Sequence, residues 1–189
     1  MAIGRTTAPD VIAAVIDSTP QVLQDASLVA LKMLYDSRRP AVNRLPGRGD
    51  FEPRDLVGHL EHVLLLEIHG DGPGDRPTDA FRFRVFGSEL VERWQFEMTG
   101  RTLADYPAED RRQRVCAIFN YVLRRREPVR VCGAMRRPNG GHVWAEALLL
   151  PLAGDGQAVD MLLGEVRFRD GPLSDAIAQA DAPVPDGGR

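Results

Sequence analysis

The sequence predicts an α+β domain with a five-stranded antiparallel sheet, helices on one face of that sheet, and an additional N-terminal helix. Aromatic residues alternate with arginines between Phe81 and Val85, which is the period of a strand with one buried face. A long amphipathic segment runs from Pro107 to Arg126. Three strand-like segments joined by short turns follow it, so we expect antiparallel pairing. A helical layer over such a sheet leaves a concave side that can hold a cavity.

The composition is that of an ordinary globular protein and argues against two classes of partner. The 189 residues are 43% hydrophobic and 27% charged, and 24 basic against 27 acidic residues give a formal net charge of −3. No strong positive field would attract nucleic acid or an anionic membrane. No apolar run approaches the ~20 residues of a membrane helix, and no signal peptide is recognisable. We therefore expect a cytoplasmic protein with Cys116 and Cys132 reduced and buried.

The N-terminal part is predicted to contain a helix and then a buried strand. Apolar residues recur at helical spacing over Pro20–Ser37, whereas Ile3–Ser18 shows no clean period and its fold is left open. Prolines and glycines mark Ala41–Pro53 as a connecting loop, and Arg54–His62 is predicted as a short helix. The strand at His62–Ile68 is apolar on both faces, so both faces must be covered.

The middle of the chain is predicted to form a loop, a half-buried strand and a short helix. The loop is Gly70–Asp79, which is rich in glycine and proline. The strand ends at Gly87, and its residues are predicted to lie with Phe81, Phe83 and Val85 on one face and Arg82 and Arg84 on the other. Ser88 is predicted to cap the short helix, which ends near Trp94.

The long helix is predicted to begin with Pro107 at its first position and to end at the basic run Arg124–Arg126. Its core face follows helical spacing and consists of Val115, Ile118, Phe119, Val122 and Leu123. The remaining strands are predicted at Val129–Met135, His142–Leu150 and Ala158–Phe168, with turns at Pro138–Gly141 and Asp155–Gly156. Pro172–Arg189 has few large apolar residues and is expected to form a weak helix and a frayed tail.

These elements divide the chain into an N-terminal helical extension at residues 1–37, a main domain at 38–169 and a weakly ordered tail at 170–189. One helix could hardly shield the second face of five strands. We therefore expect a homodimer, in which a second copy of the N-terminal helix completes the cover. The alternative is that the helix packs within its own subunit and the protein is a monomer.

Five stretches of the chain carry a resemblance to a known family. They are Leu45–Pro53, Phe81–Arg93, Thr99–Leu103, Leu148–Leu152 and Val159–Gly164. In this order they resemble the proteobacterial PAS-like family, formerly a domain of unknown function, over roughly residues 33–168. The resemblance implies a PAS fold and a sensing or dimerising module, and it implies no established activity.

The cofactors known from other PAS domains require specific residues, whose presence can be checked in this sequence. Haem-binding PAS domains commonly place an axial histidine on the long helix, and none lies between Pro107 and Arg126. Photoactive flavin domains carry a reactive cysteine in an Asn-Cys-Arg-Phe-Leu-Gln type motif. Cys116 instead lies in Arg-Val-Cys-Ala-Ile-Phe. We therefore expect no haem, no covalent flavin and no other cofactor.

The histidines raise a further possibility, which is weaker than its plain structural interpretation. His59, His62 and His69 are the densest set of metal-ligand types, and we expect surface histidines rather than a metal site. Pairing one of them with Glu61 or Glu67 as a general base would lack a recognisable nucleophile, so a small α+β enzyme is only the third hypothesis.

The arginine clusters at 111–112, 124–126 and 136–137 are predicted to be solvated rather than to bind phosphate. The glycines of Gly70–Gly74 do not follow a phosphate-loop pattern.

The leading functional hypothesis is a sensory module that binds a small organic molecule non-covalently between the long helix and the sheet. The runner-up is a ligand-free dimerisation or adaptor domain. If Glu146 faces inward, it needs Arg84 or a ligand as its partner; whether its strand turns this face inward is left open. The predicted ligand-binding residues are Arg84, Trp94, Phe96, Phe119, Trp144, Glu146 and Met161.

Overall fold

The computed structural model describes residues 11–17, 23–39, 44–70, 74–136 and 142–170. The helices are α1 (Ala26–Arg38), α2 (Ser88–Trp94) and α3 (Glu109–Arg125), and short 3₁₀ helices lie at Arg48–Asp50, Pro53–His59, Thr78–Ala80 and Leu103–Asp105. The strands are β1 (Val11–Asp17), β2 (Val63–Ile68), β3 (Phe81–Phe86), β4 (Val129–Arg136), β5 (His142–Leu152) and β6 (Met161–Asp170). The predicted turn at Pro138–Gly141 and the predicted tail Pro172–Arg189 lie outside the described residues. No helix in the described ranges is both long and apolar enough to cross a membrane.

The described strands form one antiparallel sheet in the order β1-β4-β5-β6-β2-β3. The predicted five-stranded antiparallel sheet is confirmed by β2 to β6, with β2 between β3 and β6. β1 pairs with the outer edge of β4 as a sixth strand that the sequence analysis did not foresee. Its stretch has no clean period, so the backbone pairing with β4 is what identifies this strand.

Different helices cover the two faces of the sheet. The inner face carries residues such as Leu64, Phe83 and Leu149, which pack against α2 and α3. The outer face carries residues such as Leu65 and Leu148, which pack in one apolar cluster with α1. Successive residues of β2 therefore enter opposite cores, which confirms that this strand is buried on both faces.

Two helices begin later than predicted. The structure starts α1 after Asp25 instead of at Pro20, because the Asp25 carboxylate accepts a hydrogen bond from the Ser27 backbone N–H at 2.9 Å and caps the helix. α3 begins after Ala108, so Pro107 precedes the helix instead of occupying its first turn. The acidic pair that follows Ala108 then lies in the first turn, where negative charge is favourable.

The start of α2 corrects the prediction that Ser88 is its cap. Gly87 is the N-cap residue, and a Cβ at this position would lie 2.3 Å from the carbonyl oxygen of Glu61. That carbonyl accepts a hydrogen bond from the Glu89 backbone N–H at 2.9 Å. A backbone carbonyl therefore takes the place of the serine hydroxyl, and glycine is needed because the two chain segments touch.

Strand β3 departs from the predicted alternation at its C-terminal end. Phe83 is buried on the inner face as predicted, but Val85 lies on the other side and is exposed. Adjacent residues of β2 pair with Phe83 and Val85, so Arg84 is an extra residue and forms a β-bulge. One extra residue inverts the alternation, and Phe86 takes the inner-face position instead.

Buried charges fix the start of α1 on the outer face. Glu146 is only 2% exposed and accepts a hydrogen bond from Arg130 Nε at 2.7 Å. Its two carboxylate oxygens also accept the backbone N–H groups of Gln24 and Asp25, at 3.0 and 3.1 Å. One carboxylate therefore joins β4, β5 and the entrance to α1.

Replacing Glu146 with alanine should lower the free energy of unfolding by about 3 to 5 kcal/mol, because the Arg130 guanidinium would remain buried without its carboxylate. Glu92→Ala is the matched control, since Glu92 is an exposed carboxylate on α2, and it should change stability by no more than about 0.5 kcal/mol. Chemical denaturation measures both. A loss below about 1 kcal/mol for Glu146→Ala would show that the ion pair does not hold α1 in place.

Candidate functional site

An apolar cavity of about 120 Å³ lies between α3 and the inner face of the sheet. The space exists because Gly133, Ala145 and Ala147 present little side chain toward the helix. The other residues that line the cavity are Leu64, Trp94, Arg111, Val115, Ile118, Phe119, Val131, Cys132, Leu149 and Val166. Nearly all of this surface is hydrocarbon or aromatic ring, so an apolar molecule would lose little on leaving water for it.

Two nitrogen donors at this cavity have no hydrogen-bond partner among the described residues. They are Nε of Arg111 and Nε1 of Trp94, both buried. The Trp94 ring lies 5.6 Å from the Tyr106 ring, and the Arg111 guanidinium carbon lies 5.7 Å from the same ring. Because both side chains contact one tyrosine and both residues line the cavity, the two unpaired donors lie near each other in its wall.

The Arg111 guanidinium bonds to a phenol and not to a carboxylate in the described part of the chain. Its side chain belongs to a residue only 5% exposed, and Nη1 donates a hydrogen bond to the Tyr106 hydroxyl at 2.6 Å. Burial raises the pKa of Tyr106 above its ordinary value, although Arg111 opposes the shift. The phenol is therefore neutral near pH 7, and no carboxylate in the described residues forms an ion pair with Arg111. A buried cation without a counter-charge costs folding free energy.

The structure brings together only part of the predicted ligand-binding set at this cavity. Trp94 and Phe119 line it. Phe96 is not among its lining residues, and its ring lies 6.1 Å from that of Tyr106. Arg84 is the exposed bulge residue of β3 and donates a hydrogen bond to Glu67 at 3.4 Å, away from the cavity.

The other predicted residues, Trp144, Glu146 and Met161, lie on the outer face. Alternation along β5 places Ala145 and Ala147 inward, so Trp144 and Glu146 must point the other way. The partner of Glu146 is Arg130, and the conditional pairing with Arg84 is therefore not formed. The carboxylate serves the attachment of α1 rather than the cavity.

Arg111 is the cavity residue that the sequence analysis placed wrongly. Its neighbour Arg112 is only half-buried and bonds to the Tyr106 carbonyl at 2.7 Å, whereas Arg111 is buried. The spacing of residues along α3 could have predicted the burial of Arg111. At helical spacing, Arg111 lies on the same face as Val115, Phe119 and Val122. The exposed run Arg124–Arg126 agrees with its predicted solvation.

The histidines do not gather as one group, and the prediction that they are surface residues is wrong for His59. Its Nδ1 lies 2.7 Å from a carboxylate oxygen of Glu165, which is fully buried on the outer face and also bonded to Arg167 Nε at 2.6 Å. His62 is half-buried and His69 is exposed. In the described part of the chain, no three potential ligands converge on a metal-sized site.

Both cysteines are free and buried, as predicted. Cys116 lies on the side of α3 away from the cavity, where its thiol donates a hydrogen bond to the Arg76 carbonyl at 3.4 Å. Burial raises the pKa of this thiol. The same carbonyl accepts Asn120 Nδ2 at 2.8 Å, so this face of α3 holds the chain before β3.

A family profile described as a PAS domain matches residues 23–167. The chain belongs to the PAS domain family. This confirms the resemblance seen in the sequence, and the matched region includes α1. Curated proteins provide no sequence match to this PAS domain.

Solved structures similar to this PAS domain include light-oxygen-voltage domains. One, studied with a flavin analogue, has a TM-score of 0.43 and 16% identity, with 67% of this chain and 90% of that chain covered. The light state of the Aureochrome1 LOV domain gives a TM-score of 0.41 and 13% identity, covering 69% and 97%. The Rhodobacter sphaeroides LOV protein gives a TM-score of 0.42 and 11% identity, covering 83% and 84%.

The residues of this PAS domain do not fit a flavin. A flavin ring system has three fused rings and a polar edge that needs several hydrogen-bond partners. The cavity measures about 120 Å³, and among the described residues its unpaired donors are those of Arg111 and Trp94. The thiol on α3, Cys116, bonds to Arg76 outside the cavity.

The buried phenol of Tyr106 should make stability pH-dependent in alkali. Its pKa is raised in the folded state, so the unfolded chain releases this proton first and stability falls as the pH rises above about 10. Tyr106→Phe should remove up to one proton from this dependence, or about 1.4 kcal/mol per pH unit. Denaturant unfolding between pH 9 and 11 measures both slopes, and equal slopes would contradict the assignment.

Proposed function

We propose that this PAS domain is a sensory module that binds a small organic molecule non-covalently in the cavity between α3 and the sheet. The cavity with its two unpaired donors is the observation that supports this function. Protein interiors are close-packed, and an apolar void costs about 24 cal/mol per Å³ in core variants. A ligand that fills the space recovers those contacts and pairs the donors.

The size of the cavity limits the ligand. Its 120 Å³ is close in size to the engineered apolar cavity of about 150 Å³ that holds benzene in another protein, so a ligand of about six non-hydrogen atoms is of the right scale. Sites for drug-sized molecules begin at about 300 Å³. The proposal therefore concerns a small metabolite, with a cytoplasmic setting supported by the two free thiols.

Helix α3 connects this site to the protein surface. One of its faces lines the cavity through Phe119, and another holds the chain before β3 through Asn120. The Asn120 amide accepts the Arg76 backbone N–H at 2.6 Å and donates to the Arg76 carbonyl at 2.8 Å. A ligand that moves α3 would move this surface segment with it, which is the response a sensory module needs.

A non-catalytic role is part of the proposal. The pair His59 and Glu165 has the residue types of acid–base catalysis, but the carboxylate is already bound by Arg167. The pair also lies on the outer face, on the opposite side of the sheet from the cavity. This arrangement supports a structural role for the pair.

Filling the cavity should abolish ligand binding. With benzene as a probe of the volume, we expect the melting temperature of the wild-type chain to rise. Ala147→Leu, which places a larger side chain in the cavity, should remove this rise. The matched control is Ala117→Leu on the exposed side of α3, which should keep it. A wild-type melting temperature that benzene leaves unchanged would contradict the proposed binding site.

A second candidate function is homodimerisation, which exposed apolar residues on the outer side favour. Met33 of α1 is 68% exposed and Val57 is 65% exposed, while Leu60 and Val85 are exposed nearby. α1 packs against β5 on the outer face of its own subunit, and an apolar groove remains beside Val57 and Val85. A second copy of α1 is the occupant that the predicted dimer would supply.

Dimerisation through this face should depend on Met33. Light scattering at tens of micromolar should give twice the monomer mass for the wild-type chain and the monomer mass for Met33→Glu. The control Met98→Leu changes a buried inner-face methionine and should leave the mass unchanged. A monomeric wild-type chain would remove this second function.

A further inference from the structure

The two unpaired donors at the cavity restrict the chemistry of its ligand. Arg111 Nε–H and Trp94 Nε1–H can only donate hydrogen bonds, so the group that faces them must be an acceptor. Their common neighbour Tyr106 pairs with neither nitrogen, because its hydroxyl instead accepts a hydrogen bond from Arg111 Nη1 at 2.6 Å. The ligand therefore has an acceptor group at one end.

The charge at that end indicates a monoanion. The Arg111 side chain is a cation, is only 5% exposed, and forms no ion pair within the described residues. A single guanidinium balances a single negative charge, and a second charge would have no partner in this apolar space. A carboxylate has one charge and planar oxygen acceptors that suit a guanidinium.

The rest of the cavity requires an apolar body. Beyond Arg111 and Trp94, its wall is formed by side chains such as Val115, Ile118 and Leu149. A polar chain would lose its hydration there without replacement. From these observations we infer that the ligand is a small monocarboxylate whose hydrocarbon part fills the cavity and whose carboxylate accepts hydrogen bonds from Arg111 and Trp94. This inference rests on the proposed ligand-binding function and names its ligand class.

The test compares butanoate with its neutral isostere butanamide on the full chain. Butanoate has as many non-hydrogen atoms as benzene, so it suits the volume. The chain has two tryptophans, so amide-correlation NMR shows two indole N–H signals, which Trp144→Phe assigns. We expect butanoate to shift the Trp94 signal and to bind about tenfold more tightly than butanamide. Affinity should rise about fourfold for each methylene from acetate to butanoate.

Variants with matched controls separate the two donors. Arg111→Met keeps a side chain of similar length without the charge, and it should bind butanoate and butanamide with equal affinity. Arg125→Met, at the exposed end of the same helix, should keep the wild-type preference. Trp94→Phe should weaken butanoate several-fold, whereas Trp144→Phe should not, because that indole lies on the outer face.

The possible outcomes distinguish this inference from the function on which it rests. Equal affinities of the wild-type chain for butanoate and butanamide would overturn the carboxylate while leaving a ligand-binding cavity. A preference for butanoate that survives Arg111→Met would place the anion elsewhere and also overturn it. If neither compound nor benzene binds, the ligand-binding function fails as well.

Discussion

The buried carboxylate of Glu146 is the interaction on which the arrangement of this protein depends. It takes hydrogen bonds from Arg130 on the neighbouring strand and from the two backbone N–H groups that lead into α1. A buried carboxylate must satisfy its acceptors, so the start of α1 is fixed on the outer face. Leu28 and Leu31 then pack against that face, and the inner face is left to α2 and α3.

The same two strands carry the outer charges and the wall of the cavity. Glu146 lies between Ala145 and Ala147 in the chain, and Arg130 precedes Val131. Ala145, Ala147 and Val131 point to the inner face and line the cavity, whereas Glu146 and Arg130 point to the outer face. Strand alternation thus separates a polar attachment point from an apolar site by one residue of backbone. A ligand that changes the distance between α3 and β5 acts on the segment that holds α1. The proposed sensory site and the N-terminal helix are therefore physically connected through β5.

Most of the fold could be predicted because it follows from local periodicity. The strands of the five-stranded sheet and the helix α3 appear in the sequence as period-two and helical patterns, and each lies within a few residues of its prediction. The features that were missed come from contacts between distant segments. Gly87 caps α2 only because Glu61 lies against it, and the bulge at Arg84 depends on pairing with β2. β1 is identified by its backbone pairing with β4, which is also a contact between distant segments.

The candidate site was harder to predict because it is an empty space left by small side chains. Aromatic residues such as Trp94 and Phe119 were recognisable, but the space itself is made by Gly133, Ala145 and Ala147. Small residues that alternate with large ones on adjacent strands indicate such a space only when the inward face of the strand is known. The sequence of β5 does not show which of its faces points inward. The burial of Arg111 was not predicted either, since an arginine next to another arginine indicates a solvent-exposed position. Its position on the apolar face of α3 decides otherwise, and helical phase therefore outweighs residue type where a charged side chain falls in line with a core face.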